Sequence, residues 1–207
     1  IEASGIVTLN ANIDATGIGF RGGLTVNGIF DPGYCFPDPI YNTLASKDGG
    51  HKGEGIAVWN TNKILNRGAW SNGGGGGNIH NGGGGGGALY SKGGQGGKIY
   101  QDPGFPLCEG GNGLGANQLI WQNNKIYMGG GGGSGHDNDR TSFPGGDGGG
   151  IILIKSGSLV LNNYNIISNG ITPKAAGNDG ASGGGAGGSI IIESLVQTNT
   201  GKIEANG

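Results

Sequence analysis

NGGGGGNIHNGGGGGGALY, residues 72–90, sets five glycines, a four-residue interruption and six more glycines ahead of an ordinary-looking ALY. A flexible linker, a phosphate-cradling loop and a packed structure built from bare backbone are the three readings. Linkers usually mix serine with glycine. A phosphate loop needs Gly-Lys followed by Ser or Thr, whereas Gly97-Lys98 and Gly201-Lys202 are each followed by Ile. That leaves packing. An ordered glycine has lost more chain entropy than any other residue, and its N–H and C=O must find partners. A polyproline-II backbone turns once every three residues and makes no internal hydrogen bonds. Without side chains, such segments can lie side by side and bond to one another. Blocks at 73–77, 82–87, 93–97, 129–133, 145–150 and 183–188 supply enough of them for a small bundle.

The rest of the composition agrees. Of 207 residues 54 are glycine, and hydrophobic and charged residues reach only 33% and 13%. Disordered chains are also poor in apolar residues, but they carry many charges and prolines; here the net charge is −2 and there are 7 prolines. With 12 basic against 14 acidic residues there is no basic stripe for nucleic acid. No apolar run is long enough to span a membrane. The chain opens at Ile1 without a leader and reads as a mature chain or a fragment of a longer one.

A short phrase recurs outside the glycine blocks: IEASG (1–5), IDATG (13–17), IISNG (166–170) and IEANG (203–207). Each is an apolar start running into a glycine turn. A larger echo joins GIILIKSGSLVLNNYNIISNG (150–170) to GSIIIESLVQTNTGKIEANG (188–207). One single-residue deletion aligns them, setting Ile154 against Ile192 and Ile166 against Ile203. A coil of about 20 residues with inward Ile, Val and Leu suits one rung of a parallel β-helix. IVTLNANIDATG (6–17) fits the same rung, and IAVW (56–59), LIWQ (119–122) and KIYM (125–128) read as further strands. The expected fold is therefore all-β: parallel β-helix or solenoid coils with glycine-rich excursions packed as a polyglycine II-type helical bundle. The 207 residues form a single module, rung-like over 1–30 and 150–207, with 49–149 mainly glycine excursions.

GGHKGEGIAVW (49–59), NRGAWSNGGGGGNIHNGGGGGGALYSKGGQGG (66–97), KIYMGGGGGSGHDND (125–139), GGDGGGIILIK (145–155) and AGNDGASGGGAGGSIIIE (176–193) together resemble the glycine-rich segments of large surface and gliding-type adhesins of Bacteroidetes, the cargo of type 9 secretion. Packed glycine helices are also similar to those in phage tail-fibre tip adhesins and in the ectodomain of certain receptor kinases. The resemblance implies an extracellular, cell-surface protein that is structural or adhesive. Its partners would be glycans, another surface protein or copies of itself. A receptor-binding phage tip and a self-polymerising filament subunit are the alternatives. It transfers no catalytic residues. In that compartment Cys35 and Cys108, in the matching turns DPGYCFP (31–37) and DPGFPLC (102–108), read as a disulfide; two buried thiols are the alternative.

Sites are sparse. HDND (136–139) is the best metal candidate: Asp137, Asp139 and Asp147, with backbone carbonyls, could supply hard oxygens for calcium, although EF-hand spacing is missing. Asp179 is a weaker addition. The bland reading is a solvated turn. His51, His80 and His136 sit in glycine-rich loops without zinc spacing. His80, between Asn78 and Asn81, reads as a staple bonding glycine backbones where blocks meet. Trp70 and Tyr90, at block borders, read as hydrophobic covers over the glycines, with stacking on a sugar the alternative, and Trp59 and Trp121 as strand packing. Fourteen scattered acids form no recognisable catalytic pair, so the expected protein is not an enzyme and needs no cofactor, calcium excepted.

Overall fold

The structure is a computed structural model that describes residues 1–27, 49–58, 60–78, 80–98, 113–119, 125–197 and 200–207. Six strands are present: β1 (Ile6–Thr8), β2 (Ile13–Asp14), β3 (Ile151–Val160), β4 (Ile166–Ile167), β5 (Ser189–Gln197) and β6 (Ile203–Glu204). They form two parallel sheets, β1-β3-β5 and β2-β4-β6. A single 3-10 turn, Thr61–Lys63, is the one helical element among the described residues. No helix there is long and apolar enough to cross a membrane.

The sheets follow from the echo in the sequence. Ile154 pairs with Ile192 and Ile166 with Ile203, as the alignment requires. The one-residue deletion appears as a register shift: Lys155 faces Glu193, but Ser158 faces Leu195. The surplus residue is absorbed at Ser156–Gly157, where Gly157 and Ser158 both donate N–H to the Gly5 carbonyl, at 3.0 and 3.3 Å. A bulge is the usual answer to unequal strand lengths. In β3 the side chains alternate out and in, which buries Ile152, Ile154 and Leu159. They meet Leu9, Ala15, Leu161 and Ile166 in one small core fed by both sheets.

The architecture departs from the expected solenoid. The two sheets are small and three-stranded, and neither closes nor curls into a β-helix coil. The reason is local: β2, β4 and β6 are two residues each, so the second sheet is too short to wrap a coil. Residues 56–58 and 125–128 form no strand. Trp59, Trp121, Cys35, Cys108 and the 31–48 loop lie outside the described residues.

Most of the molecule is glycine-rich chain cross-linked sideways. Along 83–88 the backbone N–H groups donate in turn to Gly97, Ala181, Gly75, Gly94, Gly184 and Asn72. Three neighbouring segments are visited in strict rotation, and each returns after three residues. The segment 129–134 does the same with Gly149, Ala88, Glu54, Gly146, Gly85 and His51. A period of three is the signature of an extended polyproline-II-like backbone. These bonds join residues far apart in sequence, so the segments cohere only as a set.

Why glycine is needed follows from the spacing. A Cβ on Gly85 would lie 2.2 Å from the Leu114 carbonyl oxygen, and one on Gly22 1.9 Å from that of Gly145. Backbone packs against backbone with no room for a methyl group. Conformational freedom is not the cause: among the described glycines only Gly17 has φ in the left-handed region. Left-handed turns fall instead to Asn66, Ser71, His80, Asn81, Arg140, Asn162, Asn163 and Thr200. Asparagine tolerates that region better than most side chains, and four of the eight are asparagines.

Candidate functional site

The polar side chains within the glycine lattice decide what chemistry it can carry. Asn78 is buried and bridges Gly49, and His80 and Asn81 make the left-handed turn between two glycine blocks. Asn81 donates its backbone N–H to His136 Nδ1 at 3.2 Å and its amide to the Asn178 carbonyl at 2.5 Å. Trp70 is 7% exposed and closes a tight turn on Gly73. Tyr90 is not the cover that sequence suggested: its ring is 87% exposed, at the rim of a groove rather than over the lattice. Asn72 was missed. Fully buried, it donates its amide to the Ala88 and Met128 carbonyls and accepts the Ile56 N–H. The only hint in the sequence was an asparagine directly before a glycine block.

Asp179 organises the turn after HDND. One of its oxygens accepts the N–H groups of Asn138 and Asp139, and the other accepts the N–H and hydroxyl of Thr141, at 2.7–3.1 Å. Burial opposes ionisation, but these hydrogen bonds outweigh it and hold the carboxyl at about 2. Asp137 is the opposite case. Burial, then the hydrogen bond and charge of Asp179 beside it, push its carboxyl above the usual range, against the backbone N–H groups of Arg140 and Ser142. Asp137 Oδ1 is buried and meets no hydrogen-bond donor. The two carboxyls are thus pushed in opposite directions, Asp179 toward its charged form and Asp137 upward. This is the environment-driven separation expected of close carboxyl pairs.

The carboxylates singled out for calcium do not come together as one set among the described residues. Asp179 already has four donors, and Asp147 spends an oxygen on the Gly22 N–H at 2.7 Å. Asp139 accepts only a 3.4 Å contact from the Asn138 amide among the described residues. No three His, Cys, Asp or Glu side chains there gather into a set able to hold a metal ion.

The linkage has two signs. Asp179 has a depressed pKa, so its stabilisation is complete above about 4 and is lost as pH falls toward 2. Asp137 has a raised pKa, so its contribution is present at acid pH and is lost as pH rises through the folded value. Asp179→Asn should therefore cost on the order of 1–2 kcal/mol at neutral pH and flatten the acid limb of a melting-temperature profile. Asp137→Asn should raise the neutral-pH melting temperature, because it mimics the protonated acid.

Lys52 is the second unusual group. It is 0% exposed, and Nζ donates to the Asn66 carbonyl at 2.5 Å and the Gly68 carbonyl at 2.7 Å. Burial pushes its pKa down to about 7. It bolts the 49–55 segment to the 66–68 turn from inside. Above it opens a groove of about 550 Å³ lined by Arg21, Leu24, His51, Glu54, Pro144 and Asp147, among others. Arg21 lies against Glu54 through Nε and Nη2, at 2.5–3.0 Å, and the backbones of the two residues bond as well. Half-buried His51 is shifted down by burial and favours its neutral form. The groove therefore offers a fixed guanidinium flanked by carboxylates and an imidazole. A hydroxyl, which both donates and accepts, can bridge such pairs; an anion meets an arginine already neutralised. No family model, curated protein or solved structure matches the chain.

Proposed function

We propose that this chain is a stiff structural and adhesive module of an extracellular bacterial surface protein. The observation that carries the reading is the lateral, three-directional backbone bonding of the glycine segments, which makes each segment hold its neighbours in place. Force or a protease acting on one segment must break bonds to several others. Contacts to glycans or a partner protein fall to the Arg21–Glu54–Asp147 groove, whose paired charges favour hydroxyl-rich, uncharged ligands.

A spacer or adhesin is favoured over a self-stacking filament by charge. Glu2 bridges Lys155 of β3, which pairs with Glu193 of β5, and Asp14, Ile167 and Glu204 lie on successive strands of the second sheet. Copies stacked in continuing register would set Glu193 beside Glu2 and Glu204 beside Asp14, both like-charge pairs that oppose assembly. The test is limited proteolysis with proteinase K alongside single-molecule pulling. The described glycine core should survive as one large fragment and yield in one high-force step. Early cleavage within 73–87, or gradual low-force extension, would reduce the glycine blocks to a linker. Binding to a glycan panel that is lost in Arg21→Ala would support the adhesive half.

A further inference from the structure

The lattice has an open position. A groove of about 560 Å³ lies over segment 84–88, walled on one side by Gly93–Gly97 and on the other by residues 181–188. The floor bonds both walls: Gly83 and Gly86 donate to Gly97 and Gly94, and Gly84 and Gly87 donate to Ala181 and Gly184. In a lattice of such segments, the trough between two neighbours resting on a third is where the next segment belongs.

Three glycines lining this groove differ from those of the interior. A Cβ on Gly94 or Gly97 would meet nothing within 4 Å, and one on Gly184 would meet only the Ile171 carbonyl oxygen at 3.8 Å. Their N–H groups donate to no described residue. Packing among the described residues therefore does not demand glycine there, although each glycine costs about 0.5–1 kcal/mol relative to alanine where no special conformation is needed. Bare backbone at these positions leaves room for a close approach.

We propose that this groove binds an extended, glycine-rich, acidic segment of a partner protein. The N–H groups of Gly94 and Gly97, which donate to no described residue, are three residues apart, about 9 Å along a polyproline-II backbone. Carbonyls of an extended three-residue-period segment match that spacing; those of a β-strand, alternating every two residues, do not. The occupant must be glycine-rich, because most interior contacts of this lattice bring backbone to within about 2 Å of where a Cβ would stand, as at Gly74, Gly85 and Gly132. It is acidic by charge complementarity: Lys92 lines the groove, Lys98 follows the Gly93–Gly97 wall, and no described acidic side chain lines it. Exposed Tyr90 stands at the rim, where it can cover the docked backbone. The slot follows from lattice geometry and stands or falls separately from the surface-protein reading.

The experiment titrates the ¹⁵N-labelled chain with the peptide PGGDGGG and, separately, with PGGKGGG. The expected result is saturable shifts of the Gly94, Gly97 and Gly184 amides, with the aspartate peptide binding about fivefold more tightly than the lysine peptide. Gly97→Val and Gly184→Val should leave the melting temperature unchanged and weaken binding at least about tenfold. Shifts confined to other residues, equal affinity for the two peptides, or undiminished binding by both variants would overturn the proposal. So would a lowered melting temperature in both, since it would show the space to be filled. Binding of an oligosaccharide at Tyr90 without binding of either peptide would also overturn it.

Discussion

Replacing Gly85 by alanine should destabilise the protein by about 3 kcal/mol or more, while the same change at Gly97 should leave stability unchanged or raise it by about 0.5–1 kcal/mol. Both residues lie in glycine blocks, and the decisive difference is what surrounds them in space. At Gly85 the new methyl group would lie 2.2 Å from the Leu114 carbonyl oxygen and 2.5 Å from its carbon. Backbone cannot rotate away as a side chain can. Gly85 also donates to Gly75 and accepts from Gly133 and must move both if it moves. The strain therefore spreads across three segments, which makes the expected loss larger than for ordinary overpacking. At Gly97 nothing lies within 4 Å, and the gain comes from a less disordered unfolded chain. Thermal and urea melts of both variants would decide. Equal, small effects at the two sites would mean that the glycine blocks do not pack as described.

Stability should rise with pH between about 7 and 10, a range in which most proteins show a plateau or a decline. Lys52 is the cause. Its folded pKa is lowered to about 7 from an ordinary value of 10.5. Below the folded value both states carry the proton and the burial penalty is paid in full. Between the two values the unfolded chain binds a proton that the folded chain has released, so unfolding becomes less favourable as pH rises. The charge-assisted bonds to the Asn66 and Gly68 carbonyls temper the penalty, and the expected gain is on the order of 2–4 kcal/mol. Lys52→Met should abolish this slope, because it fills similar space without titrating. Its effect at pH 7 is a balance between removing a buried charge and leaving two carbonyls without a donor. A wild-type profile that is flat from pH 7 to 10 would place the lysine head in contact with water.

Much of the sheet was legible because it is written in repeated side chains. The echo between 150–170 and 188–207 predicts Ile154 against Ile192 and Ile166 against Ile203, and its single deletion requires one surplus residue between them, which the structure places at Ser156–Gly157. Parallel in-register strands place like residues beside like, so alignment and pairing are the same operation. That those strands do not close into a coil was not legible. It depends on how long the second sheet grows, and two-residue strands fall below what an alternating pattern can reveal.

The candidate sites divide along the same line. HDND drew attention to Asp137, but its partner Asp179 lies about forty residues away, and only folding brings it under Asn138, Asp139 and Thr141. The Arg21–Glu54 pair, buried Lys52 and the two grooves likewise join segments with no shared motif. Glycine runs carry no address. One block is chemically the same as the next, so sequence could determine that bare backbone is a building material here, and the three-residue period that such backbone adopts. Which block bonds which, which glycines are interior and which line an open slot, and which polar side chains are sealed inside were decided by the tertiary structure alone. The physical reason is that backbone hydrogen bonds are the same at every residue, and specificity enters only through the few side chains placed where segments end.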